Sequence, residues 1–128
     1  MADDRKFKIL IVDDDAFILN MYVAKFTKEG HTVETARSGP EVLTKLKEGQ
    51  APDIVLLDIV LPGVDGLELL AQIRKEKIAP TTQFIMLTNQ GAEEEMGKAK
   101  ELGVLGYVVK ADLTPSQVVA KVLSIVTH

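Results

Sequence analysis

The amino-acid sequence predicts an α/β domain built on a doubly wound parallel sheet, and three observations carry that prediction. Short apolar runs alternate five times with segments patterned at helical spacing. Those runs are rich in Val, Ile and Leu, as strands covered on both faces require. Hydrophobic residues make up 46% of the chain but aromatics only 5%, with no tryptophan, so the core must be aliphatic. At 128 residues the chain is one domain's worth, residues 1–128, large enough to hold a core without staples.

The elements follow in order. Residues 7–12 form an apolar strand that stops at Asp13, Asp14 and Asp15. Residues 16–28 carry Leu19, Tyr22, Val23 and Phe26 as a helical stripe, which Gly30 terminates as a left-handed cap. Residues 31–36 alternate as a second strand, nearer an edge because it is the most polar. A second helix opens at Ser38-Gly39-Pro40-Glu41: either Ser38 caps with Glu41 reciprocating, or Gly39 caps with Pro40 at the first helical position. Val42, Leu43 and Leu46 form its stripe, and Gly49 ends it.

The run ending in Leu56-Leu57 is a buried strand that leads into a lone carboxylate, Asp58, on an exposed loop closed by Pro62-Gly63. Asp65 caps a third helix bearing Leu67, Leu70, Ile73 and Ile78. Residues 83–88 make a fourth strand ending in Thr88, with Asn89-Gln90-Gly91 beyond it. Glu93, Glu94 and Glu95 occupy the first turn of a fourth helix, where the helix dipole favours negative charge, and Gly103 closes it. Residues 105–109 form the fifth strand, ending at Lys110, and Thr114-Pro115-Ser116-Gln117 starts a last helix running almost to His128.

Composition narrows the function. No cysteine is present, which excludes disulfides and thiolate zinc sites. The charge of −4 comes without any Lys/Arg cluster, so direct nucleic-acid binding is not expected. No apolar run approaches the ~18 residues of a membrane span and the amino terminus lacks a secretory pattern, so a soluble, cytoplasmic protein is expected. Taken singly, the polar strand ends have ordinary readings: acids cap helices, Thr88 could serve a turn, Lys110 could be a solvated strand end, and Tyr107 a half-buried strand aromatic. Parallel strands, however, bring Asp13, Asp14, Asp58, Thr88 and Lys110 to one edge. Clustered carboxylates repel unless a cation intervenes, and oxygen ligands favour a hard ion such as magnesium, so the set points to phosphoryl transfer onto Asp58. His31 and His128 carry no functional signal.

Asp13-Asp14 after the first strand, Asp58 within Leu-Leu-Asp-Ile-Val-Leu-Pro-Gly-Val-Asp-Gly, Thr88 after the fourth strand and Lys110 after Gly106-Tyr107-Val108-Val109 together resemble the receiver domain of two-component response regulators. The resemblance spans essentially the whole chain. It implies a flavodoxin-like sheet of order 2-1-3-4-5 with helices on both faces. It further implies that Asp13 and Asp14 hold magnesium with Asp58 and the backbone carbonyl of Val60, and that Asp58 accepts phosphate from a histidine of a sensor kinase. Thr88 and Lys110 would contact the phosphoryl oxygens, and Thr88 and Tyr107 would form the switch. The implied partners are a sensor histidine kinase and a downstream protein target or output domain, and the apolar breadth of the last helix suggests a second copy after phosphorylation. Its only chemistry would be its own phosphorylation and dephosphorylation, so it would not be an enzyme.

Two residues depart from the family pattern. Ala111 stands where proline usually follows the lysine; a cis bond to alanine costs about 3 kcal/mol, so a trans, re-shaped loop is expected. Asn89 stands where a small residue is common. Val60 and Gln90 would flank the water path to the phosphorylated acid. On the last helix Val118, Val119, Val122, Leu123, Ile125 and Val126 spread over roughly 160°, wider than the ~100° a surface helix needs, which suggests a protein contact. Two other readings compete. A haloacid-dehalogenase-like phosphatase would use Asp13 as nucleophile and Asp15 as acid, but Phe17 departs from its pattern. A degenerate receiver would act only as a binding module, against which the intact acidic, hydroxyl and lysine residues argue.

Overall fold

The computed structural model describes residues 5–48, 51–89 and 92–127. In chain order the elements are β1 (Lys8–Val12), α1 (Ala16–Lys28), β2 (Thr32–Ala36), α2 (Gly39–Lys47), β3 (Ile54–Leu57), β4 (Val60–Leu61), β5 (Val64–Asp65), α3 (Gly66–Lys75), β6 (Gln83–Thr88), α4 (Glu93–Glu101), β7 (Gly106–Val109) and α5 (Pro115–Val126). Five strands form one parallel sheet in the order β2-β1-β3-β6-β7, the 2-1-3-4-5 arrangement when only its own strands are counted. The polar strand β2 lies at an edge, as its composition predicts.

Strand alternation divides the core in two. On one face Leu10, Val12, Val55, Leu57, Phe84 and Met86 pack against α2, α3 and α4. On the other Ile9, Ile11, Leu56, Ile85, Leu87 and Val108 meet α1 and α5. Because successive side chains of a strand point to opposite faces, one unbroken apolar run serves both layers.

Local chemistry sets most helix starts. The Asp15 carboxylate accepts from the N–H groups of Phe17 and Ile18, and Asp65 does the same for Leu67 and Glu68. Ser38, rather than Gly39, caps α2 by accepting from the Glu41 N–H. Thr114 and Gln117 form the reciprocal capping box of α5. The exception is α4. Among the described residues no side chain caps it, Gly97 interrupts it, and Ala99 is its one buried residue, so it is the least anchored helix.

Several expectations are corrected. Ile78 lies beyond α3 and packs against the core from the connection, where Lys77 and Ala79 take φ of 56° and 46°. Leu105 is 43% exposed and lies outside β7. The segment after Asp58 is not an open loop: β4 and β5 pair as an antiparallel hairpin across Pro62-Gly63, with Gly63 at φ +74°. Two-residue strands are too short to show a period in sequence, whereas the left-handed turn needs the glycine. The apolar breadth of α5 does not create a free face either. Val118, Val119 and Val122 are buried, while Leu123, Ile125 and Val126 pack against the core, since the helix wedges between α1 and β7. No described peptide bond is cis, as expected for Lys110–Ala111, and a 3-10 turn spans Lys110–Asp112. The expected roles of Gly49, Gln90 and His128 lie outside the described residues.

Candidate functional site

The carboxyl ends of the central strands assemble the site. The Asp58 N–H donates to the Val12 carbonyl at 3.2 Å and the Asp13 N–H to the Ala36 carbonyl at 3.1 Å, so both acids extend the sheet ladder by one rung. Their side chains are therefore placed by rigid strands. Lys110, the first residue after β7, sends its Nζ to Asp13 Oδ2 at 2.6 Å and to Asp58 Oδ2 at 3.0 Å. All three side chains are buried, as is Thr88 at the end of β6. Four of the predicted residues thus occupy adjacent strand ends, and three are in direct contact.

The remaining contacts orient the acids. Asp58 Oδ1 accepts from the Val60 N–H at 3.2 Å, while the Val60 side chain is 72% exposed. Asp13 Oδ1 accepts from the Asp15 N–H at 3.0 Å. Asp58 is only 5% exposed, contrary to the exposed position expected of it. Lys110 packs on its carboxylate, and the start of α3 presses on its backbone: the Gly66 N–H donates to the Ile59 carbonyl at 2.6 Å, and a Cβ at Gly66 would overlap the Asp58 carbonyl oxygen. Only glycine permits that approach. The motif Val-Asp-Gly contained the signal, but nothing local showed what the glycine touches.

Charge is unbalanced here. One ammonium serves two buried carboxylates. Burial pushes the Asp58 carboxyl above its ordinary range, with Asp13 adding to the effect; Lys110 and the Val60 N–H oppose it without cancelling it. Burial pulls the Lys110 amine down, but its hydrogen bond to Asp13 and the charges of both acids outweigh that, so it is raised and stays protonated. Burial also raises the Tyr22 phenol of α1, which feels Lys110, Asp13 and Asp58; nothing in the sequence marked this residue beyond its place in a helical stripe.

The excess negative charge and oxygen-only donors suit a hard divalent cation. Asp13 and Asp58 would supply carboxylate oxygens, and the chain bends at Asp14 and at Ile59 beside them, which brings the Val60 backbone next to Asp58. Asp14 itself is exposed, and among the described residues no group of three acidic or imidazole side chains is close enough to hold a metal. That is compatible with magnesium, which binds through one or two carboxylates and keeps several waters. The acid that a dehalogenase-type mechanism needs, Asp15, is spent capping α1.

Tyr107 lies on β7 opposite Met86 of β6. Its hydroxyl is buried and lacks a hydrogen-bond partner among the described residues. Burial first, then Glu95 of α4 and Asp58, push the phenol up, so this oxygen sits in the fields of both the site and α4. A second feature that sequence did not reveal is Arg37, just after β2, whose Nη2 donates to the Asp14 carbonyl at 2.9 Å.

Comparison with known proteins agrees with this geometry. A family model described as the response regulator receiver domain matches residues 9–123. The transcriptional regulatory protein ResD of Bacillus subtilis is 36% identical over 122 residues, covering 95% of this chain and 49% of that protein. The alkaline phosphatase synthesis transcriptional regulatory protein PhoP of the same organism is 36% identical over 118 residues, covering 92% and 48%. The chain thus spans about half the length of these curated relatives. Among solved structures, a CheY-like response regulator receiver domain protein from Methanospirillum hungatei superposes with a TM-score of 0.81 at 31% identity, covering 94% of this chain and 93% of that one. The Vibrio cholerae chemotaxis protein CheY4 gives 0.82 at 27% identity, covering 94% and 99%. With its sheet order, its buried acid-lysine cluster and these matches in accord, the chain belongs to the response regulator receiver domain family of two-component systems.

Proposed function

We propose that this receiver accepts a phosphoryl group on Asp58 from a phosphohistidine of a sensor kinase, with magnesium as cofactor, and passes the change to a protein-interaction face. The observation that carries the reading is the Asp58 carboxylate, buried yet held by the same ammonium that holds Asp13. A carboxylate oxygen of Asp58 forms the bond to phosphorus as the donor's P–N bond breaks, its electron pair leaving on the imidazole nitrogen, which takes up a proton from water. The Lys110 ammonium then faces the added phosphoryl charge, and the Val60 N–H keeps the acid oriented. Magnesium, held by Asp13, Asp58 and the Val60 carbonyl with Asp14 acting through a bound water, would neutralise the negative charge that acids and phosphoryl group bring together.

The output reading rests on Thr88 and Tyr107. Thr88 turning toward a phosphoryl oxygen would vacate space beside β7, and the unpartnered Tyr107 hydroxyl gains by moving into it. The α4, β7 and α5 surface would change for a downstream protein, an output domain or a second copy. Chemistry beyond self-phosphorylation and dephosphorylation is not proposed.

The test is Asp58→Asn. It keeps shape but removes the nucleophile, so labelling by acetyl phosphate under saturating magnesium should vanish while the circular dichroism spectrum is retained. Label incorporated at undiminished stoichiometry would refute the assignment. Because burial disfavours the Asp58 charge, the variant should unfold no more easily than the parent.

A further inference from the structure

The peptide unit joining Asp14 to Asp15 is gripped at both ends. Its carbonyl accepts from Arg37 Nη2 at 2.9 Å, and its N–H donates to Asp13 Oδ1 at 3.0 Å. The other oxygen of Asp13 meets Lys110 Nζ at 2.6 Å, and that ammonium meets Asp58 at 3.0 Å. A continuous line of hydrogen bonds therefore runs from an exposed guanidinium on the edge strand's exit to the acceptor acid. We propose that Arg37 is a positioning residue for the site: by fixing the peptide between Asp14 and Asp15, it orients the Asp13 carboxylate toward Lys110 and a bound divalent cation. This rests on the reading of the acidic cluster as the cation and phosphoryl site.

Two physical effects make the grip more than a tether. A cationic donor on a carbonyl polarises the peptide, so the N–H at its other end donates more strongly to Asp13. The second effect is entropic: the turn leaves β1 and enters α1 within three residues, and holding its central peptide removes rotations that cation binding would otherwise have to freeze. Opposing both is simple Coulomb repulsion, because a positive guanidinium near the acids disfavours a second cation. Arg37 is exposed, so solvent weakens that repulsion, whereas the hydrogen bonds are short-ranged and survive. The grip should dominate.

Three variants separate the effects: Arg37→Ala removes charge and donor, Arg37→Gln removes charge but keeps an amide donor, and Arg37→Lys keeps charge and one donor. Magnesium affinity by titration calorimetry, and exchange of the Asp15 amide by NMR without metal, are the readouts. Arg37→Ala should bind magnesium about 3- to 10-fold more weakly and exchange the Asp15 amide faster. Arg37→Gln should recover most of both. If Arg37→Ala and Arg37→Gln both bind magnesium more tightly, charge alone controls the site and the proposal falls. It falls equally if Asp15 exchange is unchanged in Arg37→Ala. Should the parent itself bind no magnesium, the metal reading fails, and the exchange result alone then decides whether Arg37 grips the turn.

Discussion

Replacing Lys110 by methionine keeps most of the stem's volume but strips the ammonium that lies between two buried acids. In the parent the side chains of Lys110, Asp13 and Asp58 are 8%, 5% and 7% exposed, and two charge-assisted hydrogen bonds of 2.6 and 3.0 Å are made. Removing one partner of a buried ion pair costs about 3–5 kcal/mol, because the other charge is left uncompensated. Here two acids are left facing each other, but burial already raises the Asp58 carboxyl, so taking up a proton relieves part of the repulsion and the low end, about 3 kcal/mol, is expected. For a domain of this size that lowers the melting temperature by roughly 10 °C. Urea unfolding at pH 7 in low salt measures it. Magnesium should recover part of the loss by supplying the missing positive charge, and adding Asp58→Asn should recover more, since one repelling carboxylate is gone. A Lys110→Met protein within about 1 kcal/mol of the parent, indifferent to magnesium and to Asp58→Asn, would show that the acids are not balanced by this lysine.

Gly66→Ala should cost about 1–3 kcal/mol and slow phosphorylation of Asp58 several-fold, since the new Cβ would collide with the backbone of Asp58 and Ile59; unchanged acetyl phosphate kinetics would mean the overlap relaxes away from the acid. Val60→Asn should hasten loss of phosphate from Asp58, because the 72% exposed valine side chain cannot hold an attacking water and an amide can; an equal or slower release rate would discount water positioning at this residue. His31 gives a pH dependence. Burial first, then Lys6, hold its imidazole below the ordinary 6.5, against Glu29, and its Nδ1 must be unprotonated to accept the Phe7 N–H at 3.1 Å. The unfolded chain therefore binds the proton more readily, so stability is complete above pH 6.5 and falls as pH drops from there toward the folded value. Asp58, with its raised value, changes stability in the opposite sense and starts from an unfolded value of 3.8. Unfolding at pH 7.5 and 5.5 should show the parent weaker at the lower pH and the slope reduced in His31→Asn; equal slopes would assign the dependence elsewhere.

Features with short-range causes were legible. The caps at Asp65 and Thr114 need only residues two or three positions away, and each forms; the cap of α1 is Asp15, which the sequence shows only as the end of an acidic run. The convergence of Asp13, Asp58, Thr88 and Lys110 followed from one global premise, that all sheet strands run parallel, so a single correct inference placed four strand ends together. What failed was whatever depends on depth or register. Asp58 looked exposed because the lysine that packs on its carboxylate stands 52 residues later in the chain, and α5 looked unpartnered because a helix between two neighbours buries more than one stripe. Asp14 looked equivalent to Asp13, yet the turn after β1 sends one carboxylate inward and leaves the other in solvent. His31, passed over in the sequence, proved to be stacked on Phe7 with ring centroids 5.5 Å apart, across a separation no local pattern reports.

The ammonium that balances the acids enters the chain late. Lys110 lies 97 residues after Asp13 and 52 after Asp58, and β7, which carries it, joins the far edge of the sheet. During synthesis from the amino terminus, β1, β2 and β3 can meet long before that strand exists, which sets two carboxylates side by side with no counter-charge. The nascent half-sheet should resist closing at this edge unless cellular magnesium sits between the acids. The same divalent ion that would assist chemistry in the finished protein would then act earlier as a folding aid, surrendering part of its charge-balancing role once the lysine arrives.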